Sequence, residues 1–313
     1  MQYKYHSCRN RHCPSCQGKK VDKWISKQQE SLLDVPYFHV VFTLPKELRT
    51  LCLHKPRIMY SLLFRASWET INTLAGDSKY LGAKTGMTAV LHTWSQNLSL
   101  HPHLHCIVPG GGVTNNGAWK TTRSKGKYLF PKQVLSTIYR AIFMRELLLL
   151  HKSGQISLDR STREKLYTKR WVVYAKRPFA KPQNVIEYLG RYTHKVAISN
   201  YRIIDVSETH VTFKWKDYRH ASTVKEMTLN IREFIRRFAM HILPHRFVRI
   251  RHYGILSNHG RKAIIPKIQD DQNFKPEVEQ FTPRSEPKPE SCPKVNSQRL
   301  ICTILAKNKN RAP

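Results

Sequence analysis

The stretch that most constrains this chain is "LHPHLHCIVPGGG", residues 100–112. His101, His103 and His105 occupy alternate positions, and the residues from Leu104 to Val108 are largely apolar or β-branched. "TAVLHTW" (88–94) has the same character, and both segments favour strands. In a strand, residues i and i+2 share a face, so Leu104 points into a core while His103 and His105 project side by side. Two neighbouring imidazoles on a rigid strand are suited to holding a metal ion. For a third donor, Gln96 stands seven residues before His103 and offers an amide oxygen, which makes it the favoured candidate. His92, His101 and His194 compete for the same place.

The remaining elements mix helices and strands without a 20–50-residue repeat. "VDKWISKQQESLLD" (21–34) reads as a short helix and "YFHVVFTL" (37–44) as an apolar strand. Arg57 to Ala75 is apolar at helical spacing, with Pro56 before it and Gly76 after it; Met59, Leu62, Leu63, Phe64 and Trp68 are its expected core residues. Gly110–Trp119 is a turn, residues 131–154 a helix and 171–176 a strand. Pro182 opens a helix that runs at least through Tyr192. Residues 201–206, 210–218 and 223–229 predict a three-stranded meander, followed by an amphipathic helix over 230–243 with Asn230 as its N-cap. From 263 to 313 the chain becomes rich in Pro, Lys, Glu and Ser, and a disordered tail is expected.

The charge indicates the partner. Lys and Arg number 54 against 21 Asp and Glu, a formal +33 in 313 residues. Such an excess calls for a polyanion, most simply nucleic acid, because each neutralised phosphate releases counterions. The run "RFVRIRH" then reads as a DNA contact through Arg246, Arg249 and Arg251. No apolar run reaches the roughly 18–20 residues of a membrane span, and "MQYKYHSCRNRHC" lacks the apolar stretch of a signal peptide. Three of the seven cysteines cluster at the start, which favours an intracellular metal site over a disulfide framework. Cys13 and Cys16 form a C-x-x-C knuckle, and Cys8 or His12 completes three or four zinc ligands. A second ligand pair is missing, so a weak or partial Zn²⁺ site is expected.

Tyr188 and Tyr192 stand four apart and share one face of their helix. An aromatic pair at this spacing often packs into a core, but Arg191, Thr193, His194 and Lys195 make these surroundings polar and basic; Arg191 and Lys195 are suited to phosphate. A tyrosine hydroxyl can attack a DNA phosphodiester, leaving a 5′-phosphotyrosine and a free 3′-hydroxyl. That ester conserves the bond energy for rejoining, and the sequence holds no G-x-x-x-x-G-K-[ST] loop for ATP. A divalent metal at the histidines would polarise the phosphate. Imidazole ligands suggest Zn²⁺ or a similar ion, whereas phosphate chemistry usually runs on Mg²⁺ or Mn²⁺.

"HPHLHCIVPGGG" together with "YLGRYTHKVAISN" resembles the two-tyrosine HUH transposases of the bacterial insertion-sequence ninety-one family. "CRNRHCPSCQ" is similar to their zinc-binding segment, and "EFIRRFAMHILPHRFVRIRHYGIL" to their C-terminal core, so the resemblance covers about residues 3–262. It implies His103 and His105 as the metal pair, Tyr188 and Tyr192 as nucleophiles, and an α+β class, with a central antiparallel sheet flanked by helices behind a small zinc-binding segment. The implied organisation is a zinc segment with linker helix (1–36), the nuclease domain (37–200), a DNA-binding extension (201–262) and the tail. The implied activity is metal-dependent cleavage and rejoining of single-stranded transposon ends and target DNA, in rolling-circle or peel-and-paste transposition in the bacterial cytoplasm, at the nucleoid. Family members carry a further upstream C-x-x-C pair, so this sequence reads either as a truncated copy or as one that starts at an internal methionine; "SCPKV" (291–295) has Val295 where a second cysteine would stand. A plasmid replication initiator or relaxase with the same chemistry, and a non-catalytic zinc-dependent DNA-binding remnant, are the alternatives.

Overall fold

The computed structural model describes residues 18–124, 127–175 and 197–276 apart from 219 and 221, together with 179, 184 and 185. At its centre lies a five-stranded sheet made of β1 (Tyr37–Thr43), β2 (Gly86–Trp94), β3 (Leu100–Pro109), β6 (Val173–Ala175) and β10 (Ile250–Gly254). The order is β10-β2-β3-β1-β6, and every neighbouring pair is antiparallel. β10 comes from the basic run 246–254. The expected extension 201–262 therefore returns a strand to the central sheet.

The pleat gives this sheet two unlike faces. On one, Phe38, Val40, Phe42, Met87, Ala89, Leu91, Leu104, Cys106 and Val108 join the main core. Two long helices cover that face, α3 (Pro56–Gly76) and α4 (Lys132–Lys152). Met59, Leu62, Leu63 and Phe64 are buried as expected, and Trp68 stacks on Tyr253 of β10 at 5.2 Å. Tyr139 of α4 meets Phe42 at 4.9 Å and Trp171 at 5.3 Å. Burial of this many large apolar side chains, at about 1.5–3 kcal/mol each, is what holds the sheet and helices together.

The opposite face is polar although largely buried. It carries His39, Thr88, His92, His103, His105 and His252, which the strand registers place on one side. At one end His252 Nδ1 accepts from Thr88 Oγ1 at 2.9 Å and from Arg261 Nη2 at 2.8 Å. A proton on Nδ1 would face the guanidinium, and burial, Arg261 and Lys27 together hold the His252 pKa down at about 3. Below pH ~6.5 the unfolded chain takes up a proton that the folded chain refuses until about pH 3. Stability therefore falls as the pH drops through that window, by up to about 1.36 kcal/mol per pH unit for this one group. His252→Asn keeps an acceptor without a titration, and denaturant unfolding at stepwise pH from 6.5 to 4.5 should show a slope shallower by about one proton.

The glycine run after β3 answers to crowding. Gly111–Val113 forms β4, which pairs with β5 (Trp119–Thr121) where a simple turn was expected. A Cβ at Gly111 would lie 2.5 Å from the Lys120 carbonyl oxygen, and one at Gly112 would lie 2.6 Å from that of Lys84. Gly111→Ala should cost about 1–3 kcal/mol by overpacking, read as a lowered denaturant midpoint with unchanged secondary structure.

The meander forms as predicted: β7 (Ile203–Val206), β8 (His210–Asp217) and β9 (Thr223–Asn230) make a separate antiparallel sheet. Helix α6 (Ile231–Ala239) follows, and the Asn230 side chain accepts from the Arg232 N–H as its cap. Phe213, Phe234 and Phe238 pack with Leu98 and Trp94, so this module grips the tip of the β2–β3 hairpin. One expectation is overturned. Residues 263–276 are ordered, with Ile265–Asp271 helical, because Ile265 and Ile268 are buried and Gln269 donates to the carbonyls of Glu30 and Leu32. Composition averaged over a long window hides this short apolar helix. The rest of the tail lies outside the described residues.

Candidate metal centre

β3 sets His103 and His105 two apart on the polar face, and β2 places His92 directly opposite His103. The ring centroids lie 4.9 Å apart for His103 and His105, 4.6 Å for His92 and His105, and 5.5 Å for His92 and His103. One nitrogen from each of the three lies within 4.8 Å of the others. His92 and His105 are buried, and His103 is partly buried.

Hydrogen bonds from neighbouring groups orient these rings. His103 Nδ1 sits 2.6 Å from the His101 carbonyl. A carbonyl oxygen only accepts, so Nδ1 carries the hydrogen and Nε2 keeps its lone pair. His105 Nδ1 lies 2.9 Å from His39 Nε2, and those two rings are stacked at 5.1 Å. Burial pushes the His103 pKa down to about 4, and burial with the nearby Arg49 lowers that of His101. His103 is therefore neutral at physiological pH, the form that ligates metals.

The other expected residues fall in different places. Gln96 lies in the turn Ser95–Ser99 at the hairpin tip, where its backbone carbonyl accepts from Arg202. His101 lies two residues along β3 from His103, and its ring is tilted against that of His103 at 5.2 Å. Arg246 and Arg251 line one cleft on the helical side of the sheet, where Arg251 lies over Phe64. Tyr188, Tyr192, Arg191, His194 and Lys195, and the cluster Cys8, His12, Cys13 and Cys16, lie outside the described residues. His39 was missed, its one signal being a lone histidine within the apolar strand "YFHVVFT".

This α+β chain, with an imidazole cluster on an antiparallel sheet, is a transposase by its relatives. Residues 86–263 match the family model described as "Putative transposase", and residues 1–44 match "Transposase zinc-binding domain". The chain belongs to this family, the transposases related to insertion sequence 91. "Putative transposase y4qJ" of Sinorhizobium fredii is 44% identical over 278 residues, covering 85% of this chain and 70% of the relative. "Transposase for insertion sequence element IS801" of Pseudomonas savastanoi pv. phaseolicola is 28% identical over 283 residues, covering 86% and 66%. The chain thus spans about two thirds of the length of these relatives. The conjugative relaxase TrwC, solved with oriT DNA, aligns over 51% of this chain and 71% of its own, at 11% identity and a TM-score of 0.29, too weak a likeness to build on. Among the described residues no helix is long and apolar enough to cross a membrane.

Proposed function

We propose that this chain cuts and rejoins single-stranded DNA through a covalent 5′-phosphotyrosine, with Tyr188 and Tyr192 as nucleophiles and a divalent metal at His92, His103 and His105. The observation that carries the reading is the three-imidazole cluster in a chain of transposase descent. Three imidazole nitrogens within 4.8 Å of one another suit a single ion after small ring rotations. His92, level with His103 in the sheet, takes the third position in preference to Gln96 at the hairpin tip. An all-imidazole set suits Mn²⁺ and later transition metals better than Mg²⁺. When bound, the ion supplies Lewis-acid polarisation of the scissile phosphate.

The covalent step balances without a nucleotide cofactor. The tyrosine oxygen attacks phosphorus, the P–O3′ bond breaks, the phenolic proton leaves and a 3′-hydroxyl forms. Attack of a 3′-hydroxyl on the phosphotyrosine reverses the step and joins strands. A second tyrosine four residues along the chain allows one ester to persist while the other strand is cut. Arg191 and Lys195 flank the nucleophiles and stabilise charge on the phosphate, and Cys8, His12, Cys13 and Cys16 hold Zn²⁺ at the N-terminus. The protein works on DNA in the cytoplasm.

The test is incubation of the full chain with end-labelled single-stranded transposon-end DNA, with Mn²⁺, with Mg²⁺, or with a chelator, and no ATP. The expected result is a shortened labelled strand with Mn²⁺ and none with chelator. Cleavage unaffected by exhaustive chelation would remove the metal from the account.

A further inference from the structure

On the side of the sheet away from the histidines, a shallow cleft of about 390 Å³ opens between the first turns of α3 and the segment leading into β10. Its lining is Arg57, Ser61, Arg246, Phe247, Val248 and Arg251. Three guanidinium groups thus face one concavity, and none of them pairs with a carboxylate among the described residues. The first turn of α3 likewise holds no acidic residue.

Two of these cations are held rather than loose. The Arg251 guanidinium lies 4.3 Å from the centre of the Phe64 ring and 5.3 Å from that of Phe247, and its Nη2 is 3.4 Å from Ser61 Oγ. Arg57 Nη2 donates to the His245 carbonyl at 2.7 Å. Arg246 adopts a φ of +57°, in the left-handed region that side-chain-bearing residues rarely enter. Cations with no counter-ion among the described residues, two of them held in place and the third on a strained backbone, make a site prepared for an anion.

Resting on the reading that DNA is the ligand, we propose that this cleft grips the phosphate backbone of a paired DNA segment, while the histidine face of the same sheet takes the single strand. The lining decides between the two forms of DNA. Single-strand sites stack bases on exposed aromatic rings, whereas Phe247 is buried and Phe64 has no exposed surface. The cleft offers guanidinium donors and one hydroxyl, groups that read backbone phosphate and leave bases alone. One molecule thus holds duplex and single strand on opposite sides of one sheet.

The experiment measures binding of the full chain to a labelled duplex and to a short labelled single strand of six nucleotides, between 50 and 200 mM salt. Arg57→Gln with Arg246→Gly removes two exposed charges, and glycine accepts the positive φ. Loss of two contacts should lower the duplex salt slope by about 1.8, so that the affinity lost between 50 and 200 mM is about 12-fold smaller. Binding and cleavage of the short strand should be unchanged. Val248→Glu, at a position 60% exposed, puts a carboxylate in the cleft and should weaken duplex binding without touching any buried group. Arg163→Gln with Lys165→Gln removes the same charge from the exposed side of another helix and should leave the duplex slope as it was. An unchanged slope in the cleft variant, an equal fall in the Arg163/Lys165 control, or an equal loss on the short strand would each overturn the cleft. Failure of the tyrosine chemistry alone would leave these binding results standing, while absence of any DNA binding by the parent chain would overturn both readings.

Discussion

His103→Ala is expected to abolish strand cleavage while leaving DNA binding nearly intact. A metal that polarises the phosphate supplies several kcal/mol of stabilisation, chiefly in the transition state. At about 1.36 kcal/mol per tenfold, losing some 4 kcal/mol of it slows cleavage roughly a thousandfold. The ring is partly exposed and its Nδ1 donates to a neighbouring carbonyl, so its removal leaves the apolar core on the other side of the sheet in place. His92→Ala should behave alike, because His92 faces His103 across the β2–β3 ladder. Gln96→Ala should cleave at close to the parent rate. The comparison is made by single-turnover cleavage at saturating DNA, with affinity measured separately by anisotropy. Normal cleavage by His92→Ala together with collapse of Gln96→Ala would return the third ligand to the hairpin tip.

The second large effect concerns the tyrosines. Tyr188→Phe and Tyr192→Phe each delete one oxygen, so fold and DNA binding should survive. Each single variant should lose complete transposition, at least one should still form a covalent DNA adduct, and the double variant should form none. A free tyrosine titrates near pH 10, so attack at neutral pH depends on charge stabilisation around the hydroxyl, and Lys195→Gln should slow adduct formation without preventing it. Complete transposition by both single variants would mean that one tyrosine suffices.

What the sequence made legible follows from where each signal is encoded. The strand periods of β1, β2 and β3, the helix over Pro56–Gly76 and the meander are local patterns, and they appear where the residues indicated. The side-by-side placement of His103 and His105 follows from the pleat alone. His92 and His39 join them through strand register, which no local window contains: His92 needs the β2–β3 ladder, and His39 reaches His105 from β1. The basic character of 246–251 was plain from its charge, but not the side of the sheet that it would occupy. Its strand character then turns Arg251 toward Phe64, on the side of the sheet away from the histidines. Ile265 and Ile268 formed a helix within a segment whose average composition resembled a tail.

The central claim is a covalent bond between a tyrosine and the 5′-phosphate of cut DNA, and the most direct measurement is mass spectrometry of the adduct. The full chain is incubated with Mn²⁺ and single-stranded transposon-end DNA, the product is digested with nuclease and protease, and peptides carrying a nucleotide mass are sequenced. The account predicts the modification on Tyr188 or Tyr192, absent from the double phenylalanine variant. A nucleotide on any other residue, or strand cleavage that leaves no modified peptide, would contradict it.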